Sequence, residues 1–409
     1  MDRLSEAKWK QLVLLKRVGA GELTMKEAAA ALGMSVRNLR RLRRRFERAG
    51  SAGLQHGNLG RVAKSPAEVR RARKVVALAR GKYSGINDHH LAELLKEREG
   101  IALSRSTIRR QLRAAGVGAV KKRRAARHHK RRERKAQSGL MVLWDGSRHA
   151  WLEERGPMLC LMGAIDDATS EMLPGAHFLE QESAAGYLHL LRELVCAKGL
   201  PASIYGDRHG SLKRNDDHWT LEEELRGEQD PTHVGRALRA LAIEQIHALS
   251  AQAKGRVERL WGTLQDRLVS ELRLAKARTC AQANAVLSAL VGRHNRRFQV
   301  TAADATLAWR SVRPGTDIER ICSLFYECTV GNDNAVRIGR LIIDIPPGPA
   351  QRSYAKARVE VRQLLDGSWR VYLADRLLAT RAAGPVAELR ALKRRKRGRP
   401  SRSPTHSFE

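Results

Sequence analysis

Long apolar runs are missing from this 409-residue chain, and so is any regular cysteine pattern. No stretch approaches the ~18 consecutive apolar residues that a membrane-spanning helix needs. The opening M-D-R-L-S-E-A-K has no apolar signal-peptide segment. Five cysteines (Cys160, Cys196, Cys280, Cys322 and Cys328) form an odd, scattered set. That excludes a disulfide framework and suits a reduced cytosol. Cys322 and Cys328 are the closest pair, yet no zinc spacing or paired histidines accompany them. Acidic residues are also scarce: 43 Asp+Glu stand against 77 Lys+Arg, a formal net charge of +34. Such an excess repels itself without a polyanion, so nucleic acid is the expected partner class.

What is present is enough for real cores. The 42% hydrophobic content excludes global disorder, and the length suits about two to four domains. Residues 1–60 read as helical and basic. Thr24 and Glu27 form a capping box, Gly33 allows a tight turn, and Ser35 caps a second helix with Val36, Leu39, Leu42 and Phe46 on one face. Short helix, glycine turn and basic helix make a helix-turn-helix. Ser35, Arg37, Asn38 and Arg41 then sit at the start of the reading helix; Arg suits guanine and Asn suits adenine in the major groove. Residues 65–116 read as a second such domain. Ser65 with Pro66 opens one helix, Asn87 caps the helix of Leu91, Leu94 and Leu95, and Ser104 caps the last. In that last helix Ile108 and Leu112 face inward, and Arg105, Ser106, Arg109 and Arg110 face outward. Residues 117–138 form a basic linker suited to phosphates.

The pattern changes over 139–300. Strands are expected at 141–145, 158–165, 172–179, 202–206 and 243–248, and helices at 183–198, 234–241 and 253–273. The order βββαβαβα is that of a ribonuclease-H-like α/β fold. An acidic insert between Asp207 and the next helix reads as a surface excursion, with Asp216, Asp217 and Glu222, Glu223 and Glu224 solvated. Residues 315–382 read as a small β-barrel, with strands at 336–338, 341–345, 358–363 and 369–373 and a hairpin turn at Asp366-Gly367. A basic tail, 383–409, holds R-G-R-P at 397–400. It resembles an AT-hook, in which Arg397 and Arg399 would enter a narrow minor groove.

Phosphodiester transfer by two divalent ions needs carboxylates held on rigid elements. Magnesium prefers oxygen ligands and keeps several waters, so a few suffice. Asp145 ends the first expected strand, Asp207 follows the fourth, and Glu258 lies near the start of the long helix, with separations of 62 and 51 residues. Asp166 and Asp167 compete but read as hairpin-end residues, and Asp266 as the partner of a neighbouring arginine. Lys254 and Glu258 share a helix face, compatible with a salt bridge or with a phosphate and a metal. Arg256 lies beside them on the same basic turn. His209 sits close enough to Asp207 to contact DNA or water.

Three motifs carry a family resemblance: W-D-G-S-R-H-A-W-L-E-E-R-G (144–156), Y-G-D-R-H-G (205–210) and A-Q-A-K-G-R-V-E-R-L-W-G-T-L-Q-D-R-L-V-S-E-L-R-L (251–274). H-N-R-R-F (294–298) also fits. With them the chain resembles a bacterial insertion-sequence transposase of the DDE, retroviral-integrase-like superfamily, of ISNCY type. The resemblance implies that Asp145, Asp207 and Glu258 form the triad holding two Mg²⁺ ions, with Mn²⁺ as a substitute. It also implies 3′-end cleavage followed by strand transfer, with Lys254 and Arg256 on DNA. The partners are double-stranded DNA, at transposon ends and target, and further copies of the chain in a dimeric or larger synaptic complex. Its place would be the bacterial cytoplasm, at the nucleoid. The alternative is a catalytically inactive, transposase-derived DNA-binding regulator.

Overall fold

The computed structural model describes residues 6–55, 66–120, 132–214, 216, 218–248 and 255–388. Six helices open the chain: α1 (Glu6–Gly19), α2 (Met25–Ala31), α3 (Val36–Ala49), α4 (Pro66–Arg80), α5 (Asp88–Glu99) and α6 (Arg105–Ala114). Two compact units result: Met1–Gly81 with Leu103–Gly118, and Lys82–Ala102 with Ala119–Glu409.

In the first unit α2 and α3 form the expected helix-turn-helix. The Thr24 hydroxyl accepts the Glu27 N–H, the Glu27 carboxylate accepts the Thr24 N–H, and Ser35 accepts from Asn38. Leu12, Leu15, Ala28, Leu39 and Leu54 are buried together, with Leu42 and Phe46 packed against them. Arg37, Asn38 and Arg41 remain exposed, as do Arg105, Ser106, Arg109 and Arg110 on α6. Helix α6 starts at its Ser104 cap and packs on α4, where Arg80 donates to the Ala115 carbonyl. The runs 56–65 and 121–131, which include the Ser65 cap and half of the basic linker, lie outside the described residues, as does the 389–409 tail with Arg397 and Arg399.

Helix α5, expected within the second reader, groups with the second unit instead. The reason is ionic and long-range in sequence. Two helices of the core, α10 (Gly255–Leu274) and α11 (Cys280–Phe298), present the partners. Arg267 grips Glu93 through both guanidinium nitrogens, at 2.5 and 2.8 Å. Glu271 accepts from Arg98 at 2.5 Å and lies 3.3 Å from the His90 ring nitrogen. Asp266, expected to meet an arginine, accepts from Asn87.

The core sheet has the order β3-β2-β1-β4-β5. Its strands are β1 (Val142–His149), β2 (Leu159–Asp166), β3 (His177–Leu179), β4 (Ser203–Gly206) and β5 (Glu244–His247). Strands β1, β2 and β3 pair antiparallel, and β1, β4 and β5 parallel. The expected third strand shrinks to three residues, because Pro174 and Gly175 (φ 90°) turn the chain after Met172 makes a single bridge to Ile165. Side chains alternate across β1, and the two faces are separately covered. Val142 and Trp144 meet α7 (Ala184–Lys198) and α9 (His233–Ala240) through Leu188, Leu191, Val234 and Leu238. Met141 and Leu143 meet α10 and α11 through Val257, Leu260, Leu264 and Leu287. Strand β2 is buried along its whole length. The insert folds a short helix, α8 (Leu221–Arg226), and its Glu223 is buried rather than solvated, bonded to Arg214 and to the backbone N–H groups of Thr220 and Asp230.

The C-terminal part departs from expectation. After the short α12 (Ile318–Ile321) come β6 (Leu324–Thr329), β7 (Ala335–Ile338), β8 (Leu341–Asp344), β9 (Arg358–Gln363), β10 (Trp369–Leu373) and β11 (Arg376–Arg381). They form an open four-stranded sheet, β11-β10-β9-β6, and a separate two-stranded ribbon, β7-β8. No closed barrel forms among the described residues. Sheet and ribbon share a core of Val336, Ile343, Val361 and Val371, but Arg381 reaches the Ile342 carbonyl with its side chain where a barrel would have a strand ladder.

No helix of the described residues is long and apolar enough to cross a membrane. The Glu271 network makes a pH prediction. Burial alone would raise the Glu271 carboxyl, but the His90 bond and the Arg98 and Arg293 charges outweigh it and hold the group down to about 2. A depressed folded value stabilises above the ordinary 4.5 and loses that stabilisation as pH falls toward 2. Melting of wild type and Glu271→Gln, followed by circular dichroism, should show a wild-type advantage at neutral pH that narrows below about pH 4.5.

Candidate active site

Strand pairing brings the two aspartates side by side. The 62-residue offset that pairs Val142 with Ile204 and Leu143 with Tyr205 also separates Asp145 from Asp207. Asp145 thus lies on the central strand and Asp207 one residue beyond the end of its parallel neighbour. Adjacent strands lie ~4.8 Å apart, so this register directs both residues to the same end of the sheet. Asp207 is held by its own loop: the His209 backbone N–H donates to its carboxylate at 2.8 Å. The His247 ring nitrogen lies 3.3 Å from the Asp207 carbonyl oxygen.

Helix α10 is tied to this end of the sheet at two points. The indole N–H of Trp261 donates to Asp145 Oδ2 at 3.0 Å. The ring fits because Gly163 is the cross-strand partner of Asp145, and a methyl there would stand 3.0 Å from the indole. The second tie is Asp167, fully buried, which accepts from Arg256 at 2.5 Å, from Arg132 and from the Lys135 backbone at 2.8 Å. Arg256, expected on DNA, is therefore turned inward; it also donates to the Arg132 carbonyl at 2.6 Å. Asp166 binds the backbone N–H groups of Gly139 and Thr169, both at 2.9 Å. Both acids thus serve the hairpin end structurally.

Glu258 lies between the two ties, in the first turn of α10 and three residues before Trp261, and it is exposed. Among the described residues no group of three or more His, Cys, Asp or Glu side chains is arranged to hold a metal. Asp145 and Asp207 sit at the same end of neighbouring strands, and Glu258 forms no such set with them. Lys254 lies outside the described residues.

One acid was absent from the sequence reading. Glu182 precedes the Ser183 cap of α7, where a carboxylate looks like ordinary helix-start chemistry. Its carboxylate accepts from the Tyr187 hydroxyl at 2.6 Å and lies 3.4 Å from His209 Nδ1. Burial, above all, pushes its carboxyl up; Tyr187 and His209 oppose, and Asp207 and Asp145 push it further up. Burial above all, with the Glu182 and Asp145 charges adding to it, raises the Cys160 thiol to about 12.

Residues 10–61 match the family described as a helix-turn-helix domain. The transposase-named protein y4bF of Sinorhizobium fredii is 36% identical over 300 residues, covering 73% of this chain and 64% of that protein. The chain therefore spans just under two thirds of that relative's length. The transposase for insertion sequence IS1202 of Streptococcus pneumoniae is 28% identical, covering 91% of this chain and 85% of its own. Among solved structures, the simian T-cell lymphotropic virus intasome in complex with PP2A regulatory subunit B56 gamma is 14% identical, covering 76% of this chain and 99% of that one with a TM-score of 0.31. The HTLV-2 integrase catalytic core domain in complex with magnesium (dimeric form) is also 14% identical, covering 41% and 94% with a TM-score of 0.27. Neither likeness, at such scores, says anything of this chain's chemistry. The fold itself is a helix-turn-helix domain followed by a mixed-sheet α/β core. The chain is similar, over most of its length, to bacterial proteins named as transposases.

The Trp261 bond is testable. Trp261→Phe keeps most of the apolar filling but deletes the N–H, and should cost about 1–2 kcal/mol in urea denaturation. Trp261→Ala also opens a cavity against Gly163 and should cost about 3–5 kcal/mol. Equal stability of the Phe variant and wild type would show that the bond does not hold α10 to β1.

Proposed function

We propose that this chain binds the terminal inverted repeats of an insertion sequence and catalyses metal-dependent cleavage of the DNA 3′ end and its transfer into target DNA. The observation that carries this reading is the shared register of Asp145 and Asp207, with the helix of Glu258 anchored on Asp145 through Trp261. The donors are all carboxylate oxygens on rigid elements, which suits hard divalent ions such as Mg²⁺, or Mn²⁺ in its place. Such ions, when bound, stabilise charge on the attacking and leaving oxygens of the phosphodiester. Asp145 and Asp207 hold one wall of that site from the sheet. Glu258, exposed in the first turn of α10, would supply the third carboxylate from the helix.

Two transfers then follow. Water attacks the phosphodiester at the transposon end, the bond to the flanking strand breaks, and a 3′-hydroxyl is released. That hydroxyl attacks a target phosphodiester, so one phosphorus–oxygen bond forms as one breaks and no external energy source is needed. Arg37, Asn38 and Arg41 on α3, with Arg105, Ser106, Arg109 and Arg110 on α6, are the proposed base and phosphate contacts, exposed at helix starts capped by Ser35 and Ser104. Joining two ends requires two copies or more. The exposed position of Glu258, outside any three-carboxylate group among the described residues, favours one rival reading: a regulator that binds DNA without cutting it.

Strand transfer decides between them. An oligonucleotide carrying the element's end, incubated with plasmid and Mn²⁺, should be joined by wild type, while Asp145→Asn, Asp207→Asn and Glu258→Gln each reduce joining at least about 10³-fold with end binding retained. End binding without joining in wild type would support the regulator, and joining by Glu258→Gln at the wild-type rate would remove Glu258 from the site. In the same binding assay Arg37→Ala with Asn38→Ala should lower the preference for the end over random DNA, with a loss of about 1–3 kcal/mol per base contact.

A further inference from the structure

Glu182 touches both strand ends that carry the aspartates. Its Oε2 packs over Gly146, the residue after Asp145; a methyl at 146 would come within 2.5 Å of that oxygen. Its Oε1 lies 3.4 Å from the ring of His209, the residue whose backbone N–H holds the Asp207 carboxylate at 2.8 Å. The third contact fixes it from behind, where the Tyr187 hydroxyl on α7 donates to Oε1 at 2.6 Å. Tyr187 is itself fully buried against Trp144, with ring centroids 5.0 Å apart, so the support is rigid. The Glu182 side chain is only 21% exposed, and a carboxylate in such a place is costly unless positive charge arrives.

We propose that Glu182 is a positioning residue that braces Asp145 against Asp207 and sets the negative field into which the divalent cation is drawn. The inference rests on the reading of those two aspartates as metal-facing. The Gly146 position fits it: in W-D-G the glycine leaves room for the brace beside the aspartate. Groups outside the cation's direct contacts commonly change its affinity about 10–100-fold.

The test uses the full chain and Mn²⁺ alone as probe, with binding read by calorimetry and strand transfer read against Mn²⁺ concentration. Glu182→Gln, matched in shape, should weaken Mn²⁺ binding about 10–100-fold and raise the Mn²⁺ needed for half-maximal joining by a similar factor. The joining rate at saturating Mn²⁺ should fall far less, and Glu182→Asp should recover part of the affinity. Tyr187→Phe, which frees the brace without removing its charge, should give a smaller shift in the same direction. Unchanged Mn²⁺ affinity in Glu182→Gln overturns the proposal. So does a lower rate with no shift in metal requirement, or a fall in melting temperature that Glu182→Asp does not reverse. Asp145→Asn and Asp207→Asn separate the two levels. If both bind Mn²⁺ like wild type, the metal-facing reading of the aspartates fails. If both lose Mn²⁺ while Glu182→Gln keeps it, only the role of Glu182 fails.

Discussion

The hydrogen bond from the Trp261 indole to Asp145 is the joint on which the arrangement turns. Asp145 is fixed by a central strand paired on both sides, and Trp261 by the buried face of a 20-residue helix. One contact therefore relates sheet to helix. The Arg256–Asp167 pair adds a second point five residues earlier, and two points along a helix set both its shift and its roll. Glu258 lies between them, so its Cα is placed while its side chain stays exposed.

Charge is handled differently inside the fold and on its surface. The chain carries +34, yet Arg98, Arg132, Arg256 and Arg267 are all committed to acids on other elements. Pairs of this kind add little net stability, because desolvation offsets their attraction, but breaking one leaves an uncompensated charge. Their effect is to specify which elements meet. Other cations stay exposed, among them those at the starts of α3 and α6.

Local chemistry made much of the fold legible. The caps at Thr24, Ser35, Asn87 and Ser104 stand where hydroxyl or amide oxygens precede apolar helical periodicity. The core's β-β-β-α-β-α-β-α order followed from period-2 and period-3.6 apolar spacing, and the 62-residue gap between the aspartates became a strand register. Contacts between distant segments were not legible. Nothing near Asn87 or Glu93 announces Asp266 or Arg267, and nothing near Glu182 announces His209. Arg256 on a basic turn looked like a DNA contact because its partner, Asp167, is 89 residues away. The barrel failed for a related reason: strand spacing gives strands, but closure depends on edge pairing, and here the ribbon β7-β8 stays separate.

Helix α5 gives the molecule an unusual seam. The chain passes between its two compact units three times, after residues 81, 102 and 118. A cut at 119 would not release an intact core. It would strip α5 from α10 and leave Glu271, Arg267 and Asp266 without the partners that α5 supplies. Exchange of the whole segment before 119 between relatives would need the acids and bases of α5 to match the incoming α10. The first helix-turn-helix, closed on its own apolar core before residue 55, has no such debt and is the part free to diverge in sequence preference.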